Sequence, residues 1–253
     1  MKILLTNDDG VHAPGLDVLE EIARHFSDDI WICAPDEEQS GMGHALTLTR
    51  PVRLRKHGER RFSVTGTPTD AVTMGLRKVM GGEPDVILSG VNRGANLADD
   101  ITYSGTVSAA IEGALAGIRS IALSQVTSKD GAATEDTFDA ARHWGPKVLG
   151  PMLDTPLPKR TLVNVNFPAL PGDAGKGIRA VRQGFHDYSR GTVVEGRDPR
   201  GFQYYWFGLQ AIEHSLDHGT DLEAIDEGYV SVTPLQLDLT HHASLGELGE
   251  RYG

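Results

Sequence analysis

The feature of this sequence that most constrains its fold is a regular alternation of short apolar blocks with longer amphipathic segments. The apolar blocks are rich in Val, Ile and Leu and have the length of buried strands; they cover 2–6, 30–34, 85–89, 120–124 and 161–166. The segments between them carry apolar residues at helical spacing and cover 15–26, 68–80, 106–117 and 134–153. Because strands that alternate with helices pair in parallel, the pattern predicts an α/β fold with a mostly parallel sheet and helices on both faces.

Two parts of the chain depart from this alternation. Residues 52–66 contain two alternating segments around a turn-like HGE, which predicts a hairpin inserted between two strand–helix units. Beyond about residue 170 the strand–helix alternation stops. Residues 172–198 are rich in Gly, Arg and Asp, 202–208 form the aromatic cluster FQYYWFG, and 227–240 are a further extended segment. We therefore expect a core over 1–170 and a smaller C-terminal region of β-hairpin and tail over 171–253, which partly completes the core.

Composition narrows the function classes. The chain has 253 residues, of which 39% are hydrophobic, enough for a substantial core. Its formal charge is −11, from 24 basic and 35 acidic residues. Because a protein that binds along a nucleic-acid duplex needs a stripe of basic residues, we expect no duplex partner. The single cysteine, Cys33, allows no internal disulfide, and no apolar run approaches the roughly 18 residues of a membrane span. We therefore expect a cytoplasmic protein without a membrane partner.

Two adjacent carboxylates, Asp8 and Asp9, follow the first apolar block in the stretch LLTNDDG. Two carboxylates about 4 Å apart repel by roughly 4 kcal/mol at an effective dielectric of 20. A shared proton would offset this repulsion, and so would a cation that both groups coordinate. The alternative is a solvated turn, because Asn, Asp and Gly commonly form turns.

Polar residues follow three of the apolar blocks, and parallel strands place such residues at the same edge of the sheet. The candidates that should converge there are two carboxylates, a hydroxyl and an amide, from Asp8, Asp9, Ser40 and Asn92. Oxygen ligands of this kind suit a hard cation such as Mg²⁺, Mn²⁺ or Ca²⁺ and do not suit a structural zinc site. The sequence thus predicts a divalent-metal site at this edge.

A second candidate site lies in YSGTVSAA, where Ser104, Gly105 and Thr106 precede a helix of small residues. The first backbone N–H groups of a helix lack partners within the helix and favour a bound anion. Asn96, just upstream in GVNRGAN, could direct its amide at a phosphate oxygen. Ordinary helix capping by Ser104 and turn formation by Asn96 are the simpler interpretations of the same residues.

Taken in order, LLTNDDG, QSG, TGTPTDAV, SGVNRGAN and YSGTVSAA resemble the SurE family of survival-protein nucleotidases, and GYVSVTPLQLDLT adds a match near the C-terminus. The resemblance implies a metal-dependent phosphatase that hydrolyses nucleoside 5′- and 3′-monophosphates and, in some members, short polyphosphate. It also implies a Rossmann-like core and a C-terminal part that exchanges hairpins or tails between subunits to form dimers or tetramers.

Transferred to matching positions, the resemblance implies one divalent cation per subunit, Mg²⁺ or Mn²⁺, held by Asp8, Asp9, Ser40 and Asn92. Asp8 and Asp9 are the implied catalytic residues. The implied phosphate contacts are Asn96, Ser104, Gly105 and Thr106.

Several alternatives stay open at this point. The base that activates water could be Asp8 or Asp9. Asp99 and Asp100 either add two carboxylates to the site or, as we favour, belong to a turn. A receiver domain would need an aspartate at the end of its central strand, where this chain has DVILSGVN. A haloacid-dehalogenase phosphatase would need a residue between its two acids, which NDDG lacks, so both classes are disfavoured. A non-catalytic nucleotide-sensing module could use the same groups and is the alternative function.

Overall fold

A computed structural model describes residues 1–127, 138–186, 191–209 and 218–252. The strands are β1 Lys2–Thr6, β2 Asp29–Pro35, β3 Leu54–Lys56, β4 Arg61–Val64, β5 Val86–Arg93, β6 Arg119–Gln125, β7 Thr161–Phe167, β8 Ile178–Ala180, β9 Gly191–Arg197, β10 Gln203–Leu209 and β11 Val230–Gln236. The helices are α1 Pro14–Ala23, α2 Pro68–Met74, α3 Gly105–Leu115, α4 Asp139–Asp154, α5 Asp221–Asp226 and α6 His242–Tyr252.

Nine of the described strands form one sheet in the order β3-β4-β2-β1-β5-β6-β7-β11-β8. The pairs from β4 through β7 are parallel, while β3–β4 and β7–β11 are antiparallel. The strand order changes direction between β1 and β5, because the chain first adds β2 on one side of β1 and later β5 on the other. Ligands of open α/β sheets bind at the carboxyl ends of strands beside such a reversal. The predicted mostly parallel sheet is confirmed.

Helices cover both faces of this sheet. Successive residues of β1 point to opposite faces of the sheet. Ile3 and Leu5 therefore belong to the larger core cluster on one face, and Leu4 belongs to a smaller cluster on the opposite face. The larger cluster is built with apolar residues of α1 and α4, such as Leu19 and Val148. Residues of α2 and α3 pack on the opposite face. These four helices are therefore stabilised by the burial of their apolar residues against the sheet.

Element boundaries differ from the expectations by a few residues. Instead of one helix over 68–80, α2 ends at Met74 and a π-helical turn, Gly75–Val79, follows it. Pro146 and Pro151 lie inside α4 without ending it, and 134–137, where we expected this helix to begin, lie outside the described residues. The predicted hairpin of 52–66 is β3–β4, and β4 also pairs with β2, so the hairpin extends the main sheet.

The C-terminal third contributes to two different structures. β8 and β11 complete one side of the main sheet, whereas β9 and β10 form a separate antiparallel pair, the β9–β10 hairpin. Asp221, at the start of α5, is buried; its Oδ2 accepts a hydrogen bond from the N–H of Ala98 at 2.8 Å and its Oδ1 accepts one from Gly184 at 2.8 Å. Within the described ranges, none of the helices has the length and apolar character needed to cross a bilayer.

Candidate functional site

The carboxyl end of β1 turns sharply and presents two carboxylates. Asn7 is buried and donates from Nδ2 to the carbonyl of Gly10 at 2.9 Å, and Gly10 has a φ of 104°, which a residue with a Cβ rarely adopts. The N–H of Val11 then bonds the carbonyl of Pro35 at the end of β2. The turn places Asp8 in the protein interior, 4% exposed, and leaves Asp9 half-buried.

Asp8 lies against the start of α3. Its Oδ1 accepts a hydrogen bond from Oγ1 of Thr106 at 2.6 Å. A Cβ added to Gly105 would lie 2.7 Å from Cβ and 2.8 Å from Oδ2 of Asp8, so only glycine leaves room for the carboxylate here. Gly105 does not have a positive φ, and it is therefore needed for this close approach and not for an unusual backbone conformation. The anion seated at the start of α3 is a side chain of the protein itself.

The residues next to the other two predicted metal ligands contact Asp8 and Asp9 through their backbone N–H groups. The N–H of Arg93, next to Asn92, bonds Oδ2 of Asp9 at 3.4 Å. The N–H of Gln39, next to Ser40, bonds the carbonyl of Asp8 at 2.8 Å. These contacts place the sequence neighbours of Asn92 and Ser40 at the edge of the sheet that carries Asp8 and Asp9; that the four side chains share a metal ion stays a prediction.

The donor atoms at this edge fit a hard divalent cation. Asn92 donates from Nδ2 to the carbonyl of Gly94 at 3.0 Å, and among the described residues its Oδ1 accepts no hydrogen bond. Ser40 donates to Oε1 of Glu38 at 2.9 Å, which leaves its oxygen lone pairs as ligands. The set offers carboxylate, amide and hydroxyl oxygens, the ligands that Mg²⁺ and Mn²⁺ take.

Burial makes the negative charge of both carboxylates costly. Removal from solvent raises the pKa of Asp8 to about 6, hydrogen bonds from Thr106 partly offset the rise, and the charge of Asp9 adds to it. The pKa of Asp9 is also raised, chiefly by burial and further by the charge of Glu38. A bound cation would compensate these charges, so the electrostatics agree with the donor chemistry.

The start of α3 also carries the predicted phosphate contacts. Ser104 is the N-cap, and its Oγ accepts a hydrogen bond from the N–H of Val107 at 3.0 Å. In the part of the chain that the structure describes, neither the Ser104 hydroxyl nor the Gly105 N–H donates to a protein acceptor. Asn96 donates from Nδ2 to Oγ of Ser124 at 2.7 Å and to Oγ1 of Thr106 at 3.4 Å. The longer bond is weak enough for its N–H to be shared between Thr106 and a phosphate oxygen.

Asp99 and Asp100 lie in a 3-10 turn, Ala98–Thr102, as the turn interpretation predicts. The structure places them beside His186, which the sequence did not single out: Nδ1 of His186 lies 3.1 Å from Oδ1 of Asp99 and 3.8 Å from Oδ2 of Asp100. One ligand atom from each residue lies within 4.8 Å of the others, a grouping that fits a divalent cation. No local sequence pattern around His186 predicts this grouping, because it depends on how the C-terminal region packs against the turn of Asp99 and Asp100.

Two further residues that the sequence did not single out, Asn164 and Asn166 of β7, both bond the backbone of Asn96. The signal that could have identified them is the alternation NVN inside a block that otherwise reads as a buried strand. Amides at alternate positions of a strand point to the same face, and both are fully buried here.

Comparisons with known proteins agree with this architecture. The family model described as Survival protein SurE matches residues 3–190. A protein of Erythrobacter litoralis named 5′-nucleotidase SurE is 70% identical over 253 residues, covering 100% of both chains. A protein of the same name from Rhizorhabdus wittichii is 59% identical over 246 residues, covering 97% of each chain.

A solved structure shows the same similarity in three dimensions. The crystal structure of a SurE protein from Aquifex aeolicus superposes with a TM-score of 0.85 at 38% identity and covers 100% of both chains. The family model covers more than half of the chain, and the curated relatives match it along nearly its whole length. This chain therefore belongs to the SurE family.

Proposed function

We propose that this protein is a divalent-metal-dependent nucleotidase that hydrolyses nucleoside 5′- and 3′-monophosphates to nucleoside and phosphate, and that it also cleaves short polyphosphate. The observation that carries the proposal is the position of Asp8: a buried carboxylate at the β1/β5 reversal, beside Asp9 and against the start of α3. The name 5′-nucleotidase SurE of relatives up to 70% identical supports the reaction. We expect the protein to act in the cytoplasm.

Asp8, Asp9, Ser40 and Asn92 would hold one Mg²⁺ or Mn²⁺ per subunit. Bound there, the cation would polarise a phosphoryl oxygen and lower the pKa of a water molecule. The chain contributes the carboxylate geometry, because Thr106 and Gly105 hold Asp8 in one position. Asp9, half-buried and bonded only at Oδ2 among the described residues, can orient or deprotonate the attacking water, and Asp8 is the second candidate base.

The phosphate would bind between this metal site and the start of α3. The donors that can meet its oxygens are the Ser104 hydroxyl, the Gly105 N–H and the Asn96 amide. Each can stabilise charge on the equatorial oxygens of the transferred phosphoryl group. These local donors are needed because the chain as a whole carries a formal charge of −11, which opposes the approach of an anion.

We further propose that residues 1–170 form the catalytic core and that part of 171–253 joins copies of the chain into a homodimer or homotetramer. The support is the β9–β10 hairpin, on which Trp206 is 69% and Phe207 87% exposed. Exposed aromatic side chains of this density commonly mark a protein interface. A second copy of the chain is the partner that the SurE resemblance implies.

The decisive experiment measures phosphate release from 5′-AMP, 3′-AMP and tripolyphosphate by protein stripped of metal and then supplied with Mg²⁺ or Mn²⁺. We expect many turnovers per subunit with metal and loss of activity after exhaustive chelation. Undiminished hydrolysis without metal would contradict the metal site. Tight AMP binding without turnover in any metal would identify the nucleotide-sensing module instead.

A further inference from the structure

Two buried asparagines of β7 hold the backbone of Asn96 from one side. Nδ2 of Asn164 donates to the Asn96 carbonyl at 2.8 Å, and Nδ2 of Asn166 donates to the same carbonyl at 2.9 Å. Oδ1 of Asn166 in turn accepts the Asn96 N–H at 2.8 Å. Both backbone polar groups of Asn96 are therefore satisfied by side chains of a strand about 70 residues away in sequence.

The side chain of Asn96 continues this arrangement toward the candidate metal site. Its Nδ2 reaches Oγ1 of Thr106, which donates to Oδ1 of Asp8. A continuous path of hydrogen bonds thus runs from Asn166 through Asn96 and Thr106 to Asp8, and every member is at most 7% exposed. Buried networks of this kind rigidify the groups that they connect.

The neighbouring strand provides an internal comparison. Ser231 and Thr233 of β11 are the register partners of Asn166 and Asn164, and they are equally buried. Their hydroxyls have no hydrogen-bond partner among the described residues. Burial and polarity at this depth of the sheet are therefore not enough to engage the Asn96 backbone; of these four side chains, the two amides of β7 bond it and the two hydroxyls of β11 do not.

We propose that Asn164 and Asn166 are positioning residues for the metal and phosphate site, because they fix the Asn96 peptide and, through Asn96 and Thr106, the orientation of the Asp8 carboxylate. The inference rests on the proposed function insofar as it concerns turnover. Residues that orient metal ligands through hydrogen bonds typically change metal affinity or activity by about 10- to 100-fold when they are replaced.

The test uses leucine substitutions, which keep approximate side-chain size, and controls at the register partners. Asn164→Leu removes one of two donors to the Asn96 carbonyl, and Asn166→Leu removes the other donor and the acceptor of the Asn96 N–H. Thr233→Val and Ser231→Ala remove unpartnered hydroxyls at the same depth. Each variant is measured for kcat and KM with 5′-AMP, for Mn²⁺ affinity by calorimetry and for thermal stability.

We expect kcat and Mn²⁺ affinity to fall by about 10-fold in Asn164→Leu and by about 100-fold in Asn166→Leu, with KM changed less than kcat. The two controls should keep wild-type values. Hydrogen exchange of the Asn96 amide should be slow in the wild type and in Ser231→Ala, and fast in Asn166→Leu. If Asn166→Leu does not fold, Asn164→Leu decides the question by the same measurements.

Folded leucine variants with wild-type kcat and wild-type Mn²⁺ affinity would overturn the positioning role. A failure of the proposed function looks different, because the wild type itself would then release no phosphate from nucleotides. The Mn²⁺ affinities and the exchange of the Asn96 amide would still decide whether the two asparagines position the site.

Discussion

Oγ1 of Thr106 donates a 2.6 Å hydrogen bond to Oδ1 of Asp8 across 98 residues of sequence. This bond joins the end of β1 to the first turn of α3, so the candidate metal ligand and the candidate phosphate helix form one unit. Both partners are buried, so we expect that removing one leaves the other without its hydrogen bond and without solvent to replace it.

Replacing Asp9 by Asn should leave the fold intact and remove most of the turnover. The substitution keeps the size of the side chain but removes one ligand charge and a candidate base. Phosphate release from 5′-AMP at saturating Mn²⁺ measures the effect, and Asp154→Asn, an exposed aspartate at the end of α4, is the matched control. A near-native rate for Asp9→Asn would contradict the catalytic role of Asp9 and favour the interpretation of NDDG as a simple turn.

Thr106→Ala should reduce kcat by about 10- to 100-fold, which corresponds to about 1–3 kcal/mol for the loss of a hydrogen bond to a charged group. The pKa of Asp8 should rise further, because the Thr106 hydroxyl favours its charged form. Thr106→Ser keeps the hydroxyl and should restore most of the activity. Equal rates for the alanine and serine variants would show that the hydroxyl does not matter to Asp8.

Gly105→Val should abolish both Mn²⁺ binding and turnover, because its Cβ would occupy the space of the Asp8 carboxylate. Gly246→Val is the control for the general cost of placing valine in a helix. Gly246 lies in α6, and a Cβ added there would meet no atom within 4 Å. Circular dichroism establishes that both variants are folded. Native Mn²⁺ affinity in a folded Gly105→Val protein would mean that Asp8 is not a ligand.

The metal-free protein should become less stable as pH rises through about 6. The pKa of Asp8 is raised from 3.8 to about 6 in the folded state, so this group contributes stability that is fully present below pH 3.8 and is lost as pH rises through 6. We expect the loss in the free energy of unfolding to be about 3 kcal/mol, from the difference between a pKa of 3.8 and one of about 6.

Two measurements check this pH dependence. Denaturant unfolding of metal-free protein between pH 4.5 and 7.5 should show the loss, and Asp8→Asn should remove it. Added Mn²⁺ should stabilise the wild type more at pH 7.5 than at pH 5, because protons compete with the cation for Asp8. A metal-induced gain that is independent of pH would contradict the role of Asp8.

Replacing Trp206 and Phe207 together by serine should lower the oligomeric mass of the protein in solution. Both side chains are largely exposed in the single chain, and burial by a second copy would stabilise an assembly. Light scattering coupled to size exclusion measures the mass, and Leu48→Ser, an exposed apolar residue outside the C-terminal region, is the control. An unchanged mass in the double variant would place the interface elsewhere.

The parallel sheet and the shared edge of its polar strand ends could be predicted from the sequence, because both follow from the local alternation of strands and helices. The contacts of Asp9 with Arg93 and of Asp8 with Gln39 bring neighbours of Asn92 and Ser40 to the same edge. What local pattern could not predict is that the start of α3 receives Asp8, or that Asn166 reaches Asn96. These pairings depend on the tertiary path of the loop after β5, and no periodicity in the sequence encodes it.

Asp221 holds the peptide of Ala98, two residues beyond Asn96, from the far end of the chain. During synthesis the Asn96 loop and β7 leave the ribosome before Asp221 and β11 do. Until those later residues follow, β7 is an open edge of the sheet and the Asn96 loop lacks one of its anchors. We therefore expect a nascent chain to remain inactive until Asp221 and β11 have emerged and closed this edge.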